Sequence, residues 1–558
     1  MENQRLILFV VLAFLLLMLW QQWIEYSSPP VIDQPVTSST QSSQSATTAE
    51  VIDSSVPGAP AVDSEAVRPV VDAGQTSLTT ANTGNAITVS TDLLRVELNT
   101  LGAGINKAWL LDYPVDVDHP DEPFQLMRDQ GDDLFTVQGG LIGHQRTLPT
   151  HKTLFTVNGD NFVLKEGEES LDVEFVWNAP DGVTYKKIYT FHRDSYGIDI
   201  RFRVINSSAS AWRGYLYNQY RRTEAGKDGA LGFMSVVPSY TGAAIYDREN
   251  KYSKISFSDM RDENTQHVTD NGWVSMMQHY FVSAWLLDEG RPYEIYTQVL
   301  PGPQYTIGYK TAQPADIPAG SNGELTARIY VGPKEVRRLS KEAEGLELSV
   351  DYGWLTPVSA PLFWLLDKIH MLVGNWGWAI IILTILIKLA FYPLSAASHK
   401  SMANMRRMAP RIKTLKERFG DDKAQLNKAM MELYKKEKIN PLGGCLPILI
   451  QIPVFIALYW ALLESVELRQ APWIWWIRDL SQPDPFYVLP VLMGVSMLAQ
   501  QLLSAVAMDP MQKKIMMAMP VMFMFFFLFF PAGLVLYWTV NNLLTISQQY
   551  YINKKMGV

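Results

Sequence analysis

The chain has very few of the residues on which disulfides and metal sites depend. Its 558 residues include a single cysteine, Cys445, and only eight histidines. One thiol excludes any disulfide within the chain, so a large domain in an oxidising compartment would have to be stabilised by its core alone. A domain of the size predicted below can bury enough surface for that.

Long apolar runs are absent between Ser27 and Asp351 but present on both sides of this region. Residues 6–24 and several stretches after Trp376 are apolar and almost uncharged. At about 1.5 Å per residue such runs can cross roughly 30 Å of hydrocarbon, which predicts an integral membrane protein. No small-residue cleavage pattern follows the first run, and this favours an uncleaved anchor over a cleaved signal peptide.

Aromatic residues are almost absent from residues 27–84, where Ser, Thr, Pro, Ala, Val, Gln and Asp dominate. This composition cannot bury enough apolar surface to offset the entropy of ordering, and so it predicts a flexible linker. From about Ala86 to Val331 apolar and polar residues alternate, for example in residues 92–100 and 183–192. The alternation predicts a large all-β domain of two packed sheets.

Five further spans are predicted after residues 361–373, which have the composition of a helix lying in the membrane interface. They cover residues 376–397, 441–464, 485–507, 515–530 and 532–552, which makes six spans with the N-terminal anchor. The loop at residues 398–440 carries twelve Lys and Arg against five Asp and Glu. By the positive-inside rule this loop and both termini are cytoplasmic, and the β domain lies outside.

The distribution of charge over the whole chain agrees with this arrangement. From Asp351 onward there are 20 Lys and Arg against 12 Asp and Glu, whereas the first 350 residues have 28 against 44. The soluble part is therefore acidic and the membrane part basic.

Acidic residues are absent from the depth of the predicted spans, yet one lysine is present there. Lys388 interrupts the second span and stands at helical spacing with Thr384, Tyr392 and Ser395. A charge at that depth costs at least about 2.5–3.5 kcal/mol unless it faces water, a partner or a cavity. The polar stripe favours a wet cavity, and the alternative is a lysine that snorkels to the cytoplasmic interface.

Other spans offer further polar residues to such a cavity. These are Gln451, Gln500, Gln501, Ser504, Thr539, Asn541, Asn542 and Ser547. Hydrogen bonds between helices are the alternative explanation for them. The fifth span is rich in Met and Phe, which suits either an adaptable binding surface or ordinary lipid contact. The basic loop is predicted to form a helical hairpin, whose charge could set topology or attract anionic lipid headgroups or ribosomal RNA.

Seven short motifs run through the part of the chain after residue 350. They are Asp351-Tyr352-Gly353-Trp354, Gly374-Asn375-Trp376-Gly377, Tyr392-Pro393-Leu394, Asn440-Pro441-Leu442-Gly443-Gly444-Cys445, Ser465-Val466-Glu467-Leu468-Arg469-Gln470-Ala471-Pro472, Asp509-Pro510-Met511-Gln512 and Pro531-Ala532-Gly533-Leu534-Val535-Leu536-Tyr537. In these motifs the chain resembles the YidC family of membrane protein insertases from Gram-negative inner membranes, relatives of the mitochondrial and chloroplast insertases.

The resemblance implies an insertase that uses no nucleotide, metal or other cofactor. It implies a hydrophilic groove that is open to the cytoplasm and the lipid and closed to the outside. The residues expected to capture substrate in this groove are Lys388, Thr384, Gln451, Tyr537 and Trp538. The residues expected to form a hydrophobic slide for an incoming helix are Ile452, Phe455, Met522 and Phe526.

The resemblance also implies contact with ribosomes or other partners through cytoplasmic basic residues. These are Arg406, Arg407, Lys413, Lys435, Lys436, Lys513 and Lys514. The chain departs from the usual family pattern twice, because it has Lys rather than Arg at position 388 and only residues 552–558 after Tyr551. The short tail implies that ribosome contact is weak and uses the hairpin and the loop at residues 509–514.

The external domain resembles the β-supersandwich of the family, a fold shared with sugar mutarotases. Its histidines are His119, His144, His151, His192, His267 and His279. None of them lies in a recognisable catalytic motif, so a binding or scaffold role is favoured over catalysis.

These observations together predict a multi-span α-helical membrane protein with six transmembrane helices and a large all-β periplasmic domain. The predicted divisions are a transmembrane anchor at residues 1–26, a linker at 27–84, the β-supersandwich domain at 85–345, a connector with an interfacial helix at 346–375 and a five-helix insertase core at 376–558. The predicted function is the insertion and folding of nascent membrane proteins in the bacterial inner membrane, alone or with the Sec translocon. Its predicted partners are these clients, the translocon, the ribosome and phospholipid, without DNA.

Two other functions remain as alternatives at this point. A membrane transporter or channel would be expected to show paired ionisable residues, broken half-helices or inverted repeats, and none is found in the sequence. A membrane-anchored protein that binds or modifies a periplasmic glycan would have its activity in residues 85–345 alone.

The charge asymmetry predicts the accessibility of single cysteines in intact cells. A cysteine at Asn427, in the basic loop, should resist a membrane-impermeant thiol reagent, because that loop is predicted to be cytoplasmic. A cysteine at Asn178, in the β domain, should react once the outer membrane is opened. The measurement is labelling in a background without Cys445, and the reverse labelling pattern would overturn the whole topology.

Overall fold

The computed structural model describes residues 55–60, 84–144, 146–224, 240–302, 304–420, 422–437, 446–504 and 510–556. The predicted anchor at residues 1–26, most of the predicted linker and Cys445 lie outside the described residues.

Strands make up most of the described chain from residue 86 to residue 333. They are β1 (Ala86–Ser90), β2 (Leu94–Asn99), β3 (Gly104–Pro114), β4 (Pro123–Met127), β5 (Phe135–Ile142), β6 (Thr156–Val157), β7 (Asn161–Val163), β8 (Ser170–Asn178), β9 (Val183–His192), β10 (Gly197–Asn206), β11 (Trp212–Thr223), β12 (Gly242–Asp247), β13 (Lys251–Ile255), β14 (Gln266–Thr269), β15 (Trp273–Met277), β16 (Phe281–Leu286), β17 (Tyr293–Leu300), β18 (Gln304–Thr311), β19 (Ala315–Ile317) and β20 (Ser321–Pro333).

These strands form two large sheets. The first has the order β14-β17-β18-β11-β5-β3-β2-β1-β7, with β19 beside β11 and β4 beside β3. The second has the order β13-β12-β15-β16-β20-β10-β9-β8-β6. Neighbouring strands are antiparallel except for β1 and β7. The prediction of two sheets is therefore confirmed for the described residues.

The core of this region lies between the sheets because alternate residues of each strand point inward. In β10, for example, Ile198, Ile200, Phe202 and Val204 are all buried and belong to one hydrophobic cluster. Large aromatic side chains from both sheets, such as Trp212, fill the same cluster. Burial along these strands therefore alternates with the same period of two as the apolar residues in the sequence.

Helices make up most of the described chain after β20. They are α2 (Val336–Glu342), α3 (Thr356–Val373), α4 (Trp376–Ala390), α5 (Tyr392–Arg407), α6 (Ala409–Phe419), α7 (Lys423–Lys436), α8 (Leu446–Glu464), α9 (Val488–Ser504), α10 (Pro510–Phe526) and α11 (Ala532–Met556), and a short α1 (Phe257–Asp262) lies between β13 and β14. Helix α11 packs against α4, α5 and α9, which makes it the central helix of the bundle.

The predicted span at residues 376–397 is wrong as one straight helix. Helix α4 ends at Ala390, and α5 leaves Phe391 at an angle of 64° to it. Pro393 explains the break, because it has no backbone N–H to donate to the fourth residue before it and its ring would clash there.

None of the described helices is by itself both long enough and apolar enough to cross a membrane. Helices α4 and α5 meet the criterion together, as a bent pair from Trp376 to Met405.

The β region and the helical region meet at several polar contacts. Arg469, in the segment after α8, donates Nη2 to the carbonyl oxygens of Pro114 at 2.6 Å and Val115 at 2.7 Å. His279 Nε2 lies 3.2 Å from the carbonyl oxygen of Leu463 in α8. Lys334 and Glu464 are both buried near each other, and burial lowers the pKa of Lys334 while the Glu464 carboxylate opposes that shift. The end of α8 is therefore anchored to the sheets.

The junction should weaken as the pH falls, because His279 is held neutral there. Burial, with a smaller effect of Lys334, lowers the pKa of His279 from 6.5 to about 4. Below pH 6.5 the unfolded chain binds a proton that the folded chain does not, so stability is lost as the pH falls toward 4. Between pH 6.5 and pH 5 the loss should be about 2 kcal/mol.

This loss can be measured by thermal unfolding of the purified full chain at both pH values. His279→Gln should flatten the pH dependence, since glutamine keeps a donor for Leu463 and does not titrate. His192→Gln, at a more exposed histidine paired with Asp199, is the matched control. Equal pH dependence in the parent and in His279→Gln would contradict the account.

Candidate functional site

Lys388 is buried inside the helical bundle near the end of α4. Only 6% of the residue is exposed. Its Nζ donates to Thr545 Oγ1 on α11 at 2.9 Å and to Gln451 Oε1 on α8 at 3.4 Å. Among the described residues it forms no ion pair with an acidic side chain. The lysine is therefore not snorkelling to the surface, and its partners are neutral.

The polar network continues beyond Lys388 through α8 and α11. Gln451 Nε2 donates to Asn541 Oδ1 at 2.5 Å, and Thr545 Oγ1 donates to the Asn541 carbonyl oxygen at 2.7 Å. Each partner thus has a second contact that holds it in place. The network leaves the positive charge of Lys388 uncompensated while satisfying its hydrogen bonds.

The predicted stripe on the second span is only partly present. Thr384 is buried on α4, and its Oγ1 donates to the Ile380 carbonyl oxygen of its own helix at 2.6 Å rather than to Lys388. Tyr392 and Ser395 lie on α5, beyond the 64° bend, so they do not continue the face of α4. The predicted stripe is wrong because its spacing requires one straight helix that continues through Pro393.

Thr545 was missed as a partner of Lys388. A signal for it exists in the sequence, since Tyr537, Asn541 and Thr545 recur at intervals of four and share one face of a helix. The sequence does not single out Thr545, because it is uncharged and a threonine in a helix readily donates its hydroxyl group to the backbone of its own helix.

An aromatic cluster lies on α11 one to two turns before this network. Trp538 packs edge-on against Phe455 of α8 with ring centroids 4.3 Å apart, and it lies 5.3 Å from Phe527. Tyr537 is buried and stacks on Phe455 at 6.0 Å. Phe455, which was predicted for the slide, is therefore part of the same cluster as the two predicted groove aromatics.

The other predicted slide residues are on open helix surfaces. Ile452 on α8 and Met522 and Phe526 on α10 are all exposed, and Val521 and Phe525 extend the exposed apolar face of α10. Exposed apolar side chains at this density form a surface suited to lipid or to another apolar helix.

The predicted basic residues lie on the hairpin of α6 and α7 and near the ends of neighbouring helices. Arg407, Lys435, Lys436 and Lys514 are exposed. The side chains of Arg406, Lys413 and Lys513 lie outside the described residues. Arg411 Nη1 on α6 contacts Glu437 Oε1 just after α7 at 2.6 Å, which ties the two arms of the hairpin together.

No group of three or more His, Cys, Asp or Glu placed to hold a metal ion occurs in the described part of the chain.

Comparison with known proteins places the chain in a family. Residues 86–365 match a family model described as the YidC periplasmic domain, and residues 368–557 match one described as the 60Kd inner membrane protein. The membrane protein insertase YidC of Methylobacillus flagellatus is 47% identical over 556 residues, which cover 99% of this chain and 97% of that protein. The chain belongs to the YidC family of membrane protein insertases. The YidC of Alkalilimnicola ehrlichii is 46% identical over 100% of this chain and 96% of its own length.

Solved structures also align with this YidC family member. An active YidC insertase with its first transmembrane domain resolved has 19% identity and a TM-score of 0.38, over 84% of this chain and 95% of its own. A galactose mutarotase related enzyme from Lactobacillus acidophilus has 12% identity and a TM-score of 0.30, over 44% of this chain and 97% of its own. The family assignment rests on the sequence comparisons and not on these alignments.

Membership of the YidC family confirms the predicted function, membrane protein insertion, at the level of the family. It also makes the chain a bacterial inner membrane protein with a β-rich periplasmic domain and helices toward its C-terminus.

The network predicts that two threonines of α11 differ in importance. Thr539 and Thr545 both donate to the carbonyl oxygen four residues earlier, but only Thr545 also accepts from Lys388. Thr545→Val should destabilise the protein by about 1–3 kcal/mol, since it leaves a buried ammonium short of an acceptor. Thr539→Val is the matched control and should cost less. Unfolding of both variants in detergent measures the difference, and equal losses would contradict the network.

Proposed function

We propose that the chain inserts membrane proteins through a positively charged hydrophilic groove formed by α4, α8 and α11. The observation that carries this proposal is the buried Lys388, whose hydrogen bonds are met by Thr545 and Gln451 and which has no acidic partner among the residues that the structure describes. A neutral partner leaves the full charge available to a substrate. An acidic partner would cancel it.

The groove lowers the cost of moving a short hydrophilic segment across the membrane. Peptide and polar side-chain groups are costly to place in hydrocarbon because nothing there forms hydrogen bonds with them. Polar groups of Gln451, Asn541 and Thr545 partway through the bundle would supply such partners, and Lys388 would favour segments that bear Asp or Glu. Thr384, Tyr537 and Trp538 complete the proposed capture site.

The apolar part of the client would leave the groove along the proposed slide. Ile452, Met522 and Phe526 expose apolar surface next to the bundle, which lets a client helix exchange protein contacts for lipid contacts at little cost. Phe455 would form the boundary between slide and groove, because it contacts Tyr537 and Trp538.

The proposed topology has six spans, with both termini in the cytoplasm and the β domain in the periplasm. The proposed divisions are those predicted above, at residues 1–26, 27–84, 85–345, 346–375 and 376–558, except that residues 55–60 of the predicted flexible linker pack against the β domain. The twelve basic residues of the loop at 398–440 support this orientation. The β domain is proposed to be a β-supersandwich, and its two sheets support that proposal.

The proposed partners are nascent membrane proteins, the Sec translocon, phospholipid and, weakly, the ribosome. Exposed Arg407, Lys435, Lys436 and Lys514 support contact with anionic lipid or ribosomal RNA. We propose no enzymatic activity and no cofactor. The buried network of neutral partners around a single cation favours electrostatic capture over the transporter and glycan-modifying alternatives.

The role of Lys388 can be tested by reconstituting the purified protein with short single-span substrates. Lys388→Arg should support insertion, while Lys388→Ala and Lys388→Glu should fail, most of all for substrates whose translocated segment carries Asp or Glu. At about 4 Å and an effective dielectric constant of about 20, opposite unit charges attract by roughly 4 kcal/mol before desolvation is subtracted. The measurement is the fraction of substrate inserted.

Neutralising the substrate's acidic residues should relieve much of the Lys388→Ala defect. Lys368→Ala, at the lysine of α3 that lies 5.9 Å over Trp364, is the matched control and should insert both substrates. If Lys388→Ala inserted acidic and neutral substrates as well as the parent does, the electrostatic account would be refuted.

A further inference from the structure

A short piece of the predicted linker lies against the β domain, although it precedes strand β1 in the chain and is separated from it by the rest of the linker. Residues 55–60 have the sequence Ser-Val-Pro-Gly-Ala-Pro. They cover the outer face of the first sheet, on the side opposite the core. Ile142, Tyr215 and Tyr217 form a separate buried cluster there, and Val56 and Ala59 pack against it. The linker therefore contributes side chains to the folded domain.

The outer face is built by three neighbouring strands. Strand β11 pairs with β5 on one side and with β18 on the other. Tyr217 lies opposite Gly140 and Lys310, and Gln219 lies opposite Gln138 and Gly308. The surface that contacts residues 55–60 is called the linker groove, and it consists of Ile142, His144, Tyr215, Tyr217, Gln219 and Lys310.

Polar side chains of the linker groove contact the backbone of the segment. Gln219 Nε2 donates to the Ser55 carbonyl oxygen at 3.1 Å, and Lys310 Nζ donates to the Gly58 carbonyl oxygen at 3.0 Å. His144 Nε2 lies 3.4 Å from the Pro60 carbonyl oxygen. The contacts therefore reach the first, middle and last carbonyl groups of the six residues.

These polar side chains are themselves held in place. Gln219 is 1% exposed, donates to Gln138 Oε1 at 2.9 Å and accepts from Tyr296 at 2.7 Å. Lys310 is 9% exposed and pairs with Glu294 at 3.1 Å. The hydrogen bonds with Gln138 and Tyr296 and the ion pair with Glu294 orient both side chains toward the peptide carbonyl groups, which makes the site preorganised.

The chemistry of the linker groove suits a segment that contains proline. The contacts from Gln219 and Lys310 offer donors, and proline reduces the number of N–H groups that need acceptors. Pro57 is buried against the domain and its ring restricts the backbone before docking, which lowers the entropy lost on binding. Val56 and Ala59 add the apolar contacts.

We propose that the linker groove is a peptide-binding site for proline-containing segments and that residues 55–60 are its resident ligand. Docking divides the linker and attaches it to the periplasmic domain at a second point, well before β1.

Chemical footprinting of the full chain in detergent tests this proposal. The variant Val56→Asp/Ala59→Asp places two charges against the apolar cluster and should release the segment. Val62→Asp/Ala66→Asp adds the same charge elsewhere in the linker and is the matched control. The readouts are acetylation of Lys310 relative to Lys186, which lies on the second sheet, and hydroxyl-radical oxidation of Tyr215. The second readout does not depend on the added charge.

Release should raise both labelling rates by at least about fivefold, because Lys310 and Tyr215 are covered in the parent. The control variant should label like the parent. A synthetic peptide of residues 51–64, added at about 5 mM to match the effective concentration of a short tether, should restore slow labelling of the released variant. A peptide of reversed sequence should not.

Either of two results would overturn the proposal. Equal labelling in the parent and in Val56→Asp/Ala59→Asp would show that residues 55–60 do not cover the groove. Failure of the peptide to slow labelling of the released variant would show that the groove is not a peptide-binding site. Neither readout depends on insertion activity.

Discussion

The burial of one ammonium group constrains the arrangement of the helices. Lys388 lies in an otherwise apolar helix, and a cation in such surroundings must find hydrogen-bond acceptors or lose its charge. Gln451 and Thr545 supply acceptors from two other helices. Helices α4, α8 and α11 therefore approach closely enough for one side chain to reach both partners.

The proposed insertion mechanism depends on the neutrality of the acceptors around Lys388. A carboxylate beside Lys388 would satisfy the ammonium more strongly, but it would also cancel the field that a client could feel. Amide and hydroxyl groups accept the hydrogen bonds of the ammonium group without bringing a negative charge that would cancel this field. The aromatic cluster of Phe455, Tyr537 and Trp538 lies on α8 and α11 beside this polar region, and we propose that it forms the boundary with the exposed apolar surface of α8 and α10.

The β domain is stabilised in a different way, and it is joined to the bundle by polar contacts and by a shared hydrophobic cluster. Two sheets bury a continuous aromatic and aliphatic core without a disulfide. Arg469 and His279 connect that domain to the segment around the end of α8 through backbone carbonyl groups. Charged groups add to these contacts, since Glu464 lies 3.9 Å from His279 and Arg337 pairs with Asp367.

Much of this was determined by the sequence alone, because it depends on local periodicity. Alternation of apolar and polar residues predicted the two sheets, and one lysine in an apolar run predicted a polar interior. The motifs after residue 350 indicated the family. Only the tertiary structure decided that Pro393 breaks the second predicted span, that Thr545 is the nearest partner of Lys388, and that residues 55–60 belong to the β domain. The physical reason is that each of these depends on which groups meet across space, and composition and periodicity carry no record of a partner 157 residues away, as Thr545 is from Lys388.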